Sequence, residues 1–209
     1  LVLGARDGTF TLRGPTRVAR LFEGPTAALL GPILNVDLTG ALADRRVDLS
    51  GGLSSDAFQL ETDGLVDLGE SAFDDLKLDF ILLKPSALAK NLSGSGIRGE
   101  LALNGAFATP EVQYDLSASR LVMNDMGLTG FTASGAATVN ADRILIPVQA
   151  RAARITGLDT VAGGTLANVR LDGDVAIDGP RILSDNMRIR SDRIDARVIL
   201  LADMSSGLY

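Results

Sequence analysis

The chain has 209 residues and a net charge of −6, from 20 Lys plus Arg against 26 Asp plus Glu. That balance argues against a nucleic-acid partner, which calls for a basic patch. With no histidine and no cysteine, disulfides, zinc sites built on thiolates or imidazoles, and Cys–His or Ser–His–Asp catalysis are excluded.

Hydrophobic residues make up 46 % of the chain and the mean hydropathy is +0.22, yet aromatics are 4 % and tryptophan is absent. The apolar content is Leu, Val, Ile and Ala. No run approaches the ~18 apolar residues of a membrane span. The opening "LVLGARDG" has no Met and no signal-peptide pattern, and no linker divides the chain. Residues 1–209 are therefore expected to be one repetitive β segment of a longer protein.

In chain order, "LFEGPTAALLGPIL" (21–34) is ambiguous, with room for a helical turn between two Gly-Pro breaks. Next, Val36-Asp-Leu-Thr-Gly40 returns as Val47-Asp-Leu-Ser-Gly51, with further copies starting at 10, 101, 169 and 175. Each phrase is expected to end a strand, its glycine supplying the turn that follows. The copies keep no fixed period, unlike the rungs of a solenoid.

From residue 57 onward the period is two. "AFQLETDGLVDL" puts Phe58, Leu60, Val66 and Leu68 on one face against Gln59, Glu61, Asp63 and Asp67. "LKLDFILL" aligns Leu76, Leu78, Phe80 and Leu82. "KPSALAKNL" (84–92) predicts one short helix, with Pro85 in its first turn. "EVQYDLSAS" aligns Val112, Tyr114, Leu116 and Ala118 against Glu111, Gln113 and Asp115. "RILIPVQA" aligns Ile144, Ile146 and Val148, where Pro147 suggests a bulge or an edge strand. "VRLDGDVAID" aligns Val169, Leu171, Val175 and Ile177, and "RIDARVIL" aligns Ile194, Ala196, Val198 and Leu200. Ile199 and Leu201 fall on the polar side of that last strand, which suggests cover on both faces. This is the pattern of an antiparallel sheet with one wet face.

The candidate chemical motifs have plain structural readings. Gly94-Ser-Gly96-Ile-Arg-Gly99 spells G-x-G-x-x-G, but a strand rather than a helix is predicted after it, so a dinucleotide site is not expected. Asp74-Asp75 could pair for acid–base work or calcium, but no D-x-D-x-D-G loop occurs. "MRIRSDRIDAR" (187–197) could meet anionic head groups, though Asp192 and Asp195 favour cross-strand ion pairs. Asn91-Leu-Ser93 matches a glycosylation sequon. Neither cofactor, metal site nor enzymatic activity is expected.

The apolar face requires an explanation. Roughly fourteen strands at about 4.8 Å spacing make a sheet on the order of 65 Å wide, with an apolar face of roughly 1,700 Å². At about 25 cal/mol per Å², leaving it in water costs on the order of 40 kcal/mol. It must fold into a sandwich or barrel, coil, enter a membrane, or curl into a trough that holds something apolar. The missing aromatic girdles disfavour a membrane barrel. A wall of aliphatic side chains with few polar anchors suits acyl chains better than a discrete ligand.

The V-x-L-x-G phrases, "LDFILLKPSALAKNLSGSGIRGELALNGAFATPEVQYDLSA" (78–118) and "GTLANVRLDGDVAIDGP" (164–180) resemble the AsmA-like superfamily of Gram-negative envelope proteins. The resemblance implies an all-β fold: a long, twisted, curled antiparallel sheet forming an open U-shaped apolar groove. It implies transfer of phospholipid across the periplasm, an inner-membrane anchor on the full-length protein, and an Omp85-type outer-membrane barrel as a partner through regions outside this segment. Phe58, Leu60, Leu78, Phe80, Leu101, Leu103, Val112, Tyr114, Leu116, Ile144, Ile146, Val148, Val169, Leu171, Val175, Ile177, Ile194 and Val198 would then line the groove. Two other roles stay open, an adhesin-like stalk with a dry interior and a chaperone surface using strand edges.

Overall fold

Alternating apolar and polar residues bury one face only when the backbone is extended, and the chain follows that rule almost throughout. The computed structural model describes residues 1–140, 143–158, 164–179 and 181–203. Their strands are β1 (Val2–Arg6), β2 (Thr9–Thr16), β3 (Leu34–Ala43), β4 (Arg46–Ser54), β5 (Phe58–Asp67), β6 (Ala72–Leu82), β7 (Leu92–Ser95), β8 (Ile97–Ala106), β9 (Glu111–Met123), β10 (Met126–Val139), β11 (Ile144–Thr156), β12 (Thr165–Asp178), β13 (Arg181–Arg190) and β14 (Asp195–Asp203). All belong to one 14-stranded antiparallel sheet. Neighbours in sequence are neighbours in space, except that β6 pairs with β8 and the short β7 pairs with the far end of β9. β1 and β14 are edges, and the sheet does not close on itself.

Tight turns hold one rim. Asp44 and Arg45, both at positive φ, join β3 to β4, as Asp7 and Gly8 join β1 to β2. Two successive positive φ values match the twist of the flanking strands. The opposite rim carries the helical pieces: a 3₁₀ turn at Val18–Leu21, the helix α1 (Gly24–Leu30), and a 3₁₀ turn at Pro85–Ala87. The short helix expected near 85–92 is thus a single 3₁₀ turn, and the α-helix lies in the ambiguous Gly-Pro segment. Pro25 opens that helix and Gly31, at positive φ, ends it.

The repeated V-x-L-x-G phrases do not end strands as expected. Gly14, Gly40, Gly51, Gly105 and Gly173 lie inside β2, β3, β4, β8 and β12, and only Gly179 sits in a turn. Period two places valine, leucine and glycine of one phrase on the same face. At Gly40 the inward position is left blank and the Phe10 ring, directly opposite, fills it, whereas at Gly51 and Gly173 the glycine lets the backbone of the neighbouring strand approach closely.

Two bulges keep the apolar side chains in phase. In β6, Asp74 and Asp75 contain one residue more than β5 and β8 across from them, so Phe73 and Leu76, three apart, face the same way. The Asp75 N–H, at positive φ, donates to Asn104 Oδ1 at 2.8 Å. In β13 the extra residue falls near Asn186. Its side chain stands in for the ladder, accepting from the Asp174 N–H at 2.8 Å and donating to Asp174 Oδ2 at 2.6 Å.

Pro147 marks neither a bulge nor an edge. It sits in the interior strand β11, whose register with β12 runs unbroken and whose register with β10 is the same on either side of it. Its missing N–H costs pairing only on the β10 side, where the ladder lapses opposite Ile146–Val148 and then resumes.

Candidate functional site: an unsealed apolar groove

The register carries the apolar side chains across the sheet in continuous rows. Leu53, Leu60 and Phe80 stand side by side on β4, β5 and β6. Leu78, Leu101 and Tyr114 continue across β6, β8 and β9. Leu103 and Val112 share a row with Ala137, and Ile144, Ile177 and Ile182 form another. The expected strand residues from Phe58 to Val198 all fall on this one face. Ile194, just before β14, packs on a cluster of Ala152, Leu166 and Val169.

Alanines test whether this face is concave. Ala118, Ala133, Ala137, Ala150 and Ala152, on the apolar face, are 3–7 % exposed. Ala41, Ala43 and Ala136, on the other face, are exposed, while Ala176, also on that face between Leu145 and Leu183, is 4 % exposed. A flat single layer would leave equal side chains equally wet on both faces. Along β9 to β11 the difference places the closer packing on the apolar side, as in a sheet curled toward it. The strands are longest at β9 to β12, 13 or 14 residues each, so the apolar face is widest there.

The trough is not filled by a second layer. Among the described residues no large side chain falls below 2 % exposure. The chain exposes 13015 Å². A compact folded monomer of 21.8 kDa exposes roughly 9,300 Å², so the excess is about 40 %. A self-packed sandwich would remove that surface.

Three rings lie across blanks in the floor. A Cβ added at Gly40 would meet the Phe10 ring, one at Gly99 the Phe80 ring, and one at Gly135 the Tyr114 ring. With no side chain at the glycine, each ring leans over it. Polar groups on this face are few. The Tyr114 hydroxyl donates to the Pro147 carbonyl at 2.6 Å, and partial burial pushes its pKa up. The Thr62 and Ser184 hydroxyls are buried with no partner among the described residues.

The outer face holds the charges. Arg13 meets Asp37 at 2.7 Å, Arg46 meets Asp67 at 2.9 Å, and Arg190 meets Asp172 at 3.0 Å. Arg188 grips both oxygens of Asp195, at 2.9 and 2.6 Å, which holds that carboxyl below the usual carboxylate range. The arginines of 187–197 are thus engaged largely in ion pairs. A feature missed in the sequence is a row of four carboxylates directly opposite one another: Glu61, Asp79, Glu100 and Asp115 on β5, β6, β8 and β9. Asp79, Glu100 and Asp115 border a shallow hollow of about 420 Å³ with Lys77 and Gln113. Only strand pairing brings them together, and no linear motif could have shown it.

The other motifs resolve into sheet. Gly94 lies in β7, Gly96 joins β7 to β8 at positive φ, and Gly99 lies in β8 beneath Phe80. Asp74 and Asp75 form the bulge described above, and Asn91 Nδ2 donates to Asn124 at 2.9 Å. Among the described residues no three acidic side chains are placed to hold a metal ion, and no helix is long and apolar enough to cross a membrane. Comparison of the chain with protein-family models, with curated proteins and with solved structures found no match.

Proposed function

We propose that this chain is a segment of a bridge-like lipid transfer protein of the AsmA-like superfamily, most similar to TamB, the translocation and assembly module protein. Acyl chains lie on the aliphatic floor of the trough while head groups stay in water along its open seam. Transport is non-enzymatic. A surface of Leu, Val, Ile and Ala holds tails without direction, so a lipid slides along it without large barriers. The setting is the periplasm, with phospholipid as cargo, and the outcome is outer-membrane lipid balance and assembly. Contact with an Omp85-type barrel belongs to parts of the protein outside this segment.

The observation that carries the reading is the unsealed apolar face, in a chain exposing 13015 Å². An apolar face of this extent is normally covered, and fatty tails are the cover its aliphatic composition suits.

The test is direct. The purified chain is extracted with organic solvent and the extract examined for phospholipid by mass spectrometry. A photocrosslinking side chain is then placed at Leu116, in the trough, or at Asp115, on the outer face. Lipid adducts at the first position and not the second are expected. Equal labelling, or none, overturns the reading.

One observation favours a second reading. The edges β1 and β14 are unpaired and expose Leu3 and Ile199. Natural sheets usually blunt such edges, so they suit capture of an extended chain by strand addition. A lipid-free preparation that binds unfolded outer-membrane proteins would select this chaperone role.

A further inference from the structure

The two rims of the trough differ. On one, the connections among β1 to β6 are tight turns at 7–8, 44–45 and 68–71, with one cation against three carboxylates. On the other, the connections 17–33, 55–57 and 83–91 carry four cations against two carboxylates. This stretch of the rim is basic in a chain that is acidic overall.

The three connections form one surface. The Ser55 hydroxyl donates to the Leu29 carbonyl at 2.6 Å, joining α1 to the 55–57 turn. The N–H groups of Leu83 and Lys84 donate to the Ala57 carbonyl at 2.8 and 3.0 Å, joining that turn to the third connection. On this scaffold Leu21, Phe22, Ile33, Leu83 and Leu88 are exposed, Leu21 at 80 %. Arg17, Arg20, Lys84 and Lys90 are exposed among them, Lys84 in a loose pair with Asp56 at 3.8 Å.

We propose that this rim is a docking surface for an anionic lipid bilayer. The apolar side chains enter the boundary between head groups and tails. The cations meet lipid phosphates, and their long stems allow them to reach there while the apolar groups insert. Basic side chains near an anionic surface each contribute attraction, whereas a neutral surface offers none. Docked this way, the seam of the trough lies beside one leaflet. The proposal concerns the rim alone and holds whatever the trough carries.

The chain has no tryptophan, so Phe22→Trp supplies a single reporter on this rim and Leu68→Trp one on the opposite rim. Each variant is mixed with vesicles of phosphatidylcholine alone, or of phosphatidylcholine and phosphatidylglycerol in equal amounts. The Phe22→Trp emission is expected to shift to the blue with anionic vesicles only, and the Leu68→Trp emission to stay unchanged. Adding Arg17→Gln and Arg20→Gln to Phe22→Trp is expected to weaken partition into anionic vesicles about tenfold or more. All four positions are on the surface, and far-UV circular dichroism checks that the sheet is intact. Equal shifts with neutral vesicles, equal shifts from both rims, insensitivity to the two arginines, or no binding at all would each overturn the proposal. A groove that yields no lipid on extraction would leave it standing.

Discussion

Phe80 lies directly opposite Gly99 across β6 and β8, and its ring occupies the space that a Cβ at Gly99 would need. Leu116, opposite Gly99 on the other side, crowds the same point. Gly99→Val therefore forces the ring up into the trough. The expected cost is about 1–3 kcal/mol, typical of overpacking, read as a lower urea midpoint. Phe80→Ala in the same chain should recover part of it, and the single variant should retain less extractable lipid.

Leu166 and Leu101 separate core from groove. Leu166 is 3 % exposed within the cluster of Ala152 and Val169, whereas Leu101 is half-buried in the trough. Leu166→Ala should cost about 2–5 kcal/mol, since its neighbours cannot refill the space. Leu101→Ala should cost clearly less in the lipid-free chain, because the side chain there already meets solvent. Equal losses in urea unfolding would mean that the trough is closed.

Glu100 stands between Asp79 and Asp115, with Glu61 one strand further on. Like charges directly opposite destabilise a sheet and opposite charges stabilise it, by about 0.2–1 kcal/mol per pair. Glu100→Lys should therefore raise the unfolding midpoint, and added salt should shrink the difference from the parent chain. A lower midpoint in the variant would show that the carboxylate row is not under repulsion.

Asp67 is held by backbone as well as by a cation. It accepts from the N–H of Glu70 at 2.9 Å, from the Arg46 guanidinium at 2.9 Å and from the N–H of Gly69 at 2.8 Å. The Glu70 N–H first, then Arg46, hold its carboxyl below the usual carboxylate value. Arg188 does the same to Asp195. A folded-state value below the unfolded one adds stability at higher pH, and that stability is lost as pH falls through the folded value. The protein should thus lose stability on acidification below about pH 4. Asp67→Asn should be less stable at neutral pH and show a shallower acid limb in denaturant midpoints measured against pH.

Asn186 substitutes for ladder hydrogen bonds at the β13 bulge. Asn186→Ala leaves the Asp174 N–H without that partner, at an expected cost of about 1 kcal/mol. Hydrogen exchange should quicken locally at β12 and β13 and not at β3 and β4.

The alternation of Val112, Tyr114 and Leu116 against Gln113 and Asp115, and its counterparts along the chain, determined the extended backbone, the wet face and the apolar face. They could do so because side-chain direction in a strand depends only on counting by two. The same rule, applied through the glycine of V-x-L-x-G, would have placed that residue inward. Its reading as a turn followed local propensity, which the pairing of Phe10 with Gly40 overrode. Three things were decided only by the tertiary structure. Counting by two fails wherever a residue is added or turned, as at Asp74-Asp75 and at Asn186. It fails too at the row of Gly130, Ala153 and Asn168, where positive φ at the first and last lets Leu166 and Val169 join one cluster. The carboxylate row of Glu61, Asp79, Glu100 and Asp115 exists because neighbouring strands hold a common register, which is a property of strand pairs. Whether the apolar face closes on itself depends on curvature summed over fourteen strands, a quantity that no single strand contains.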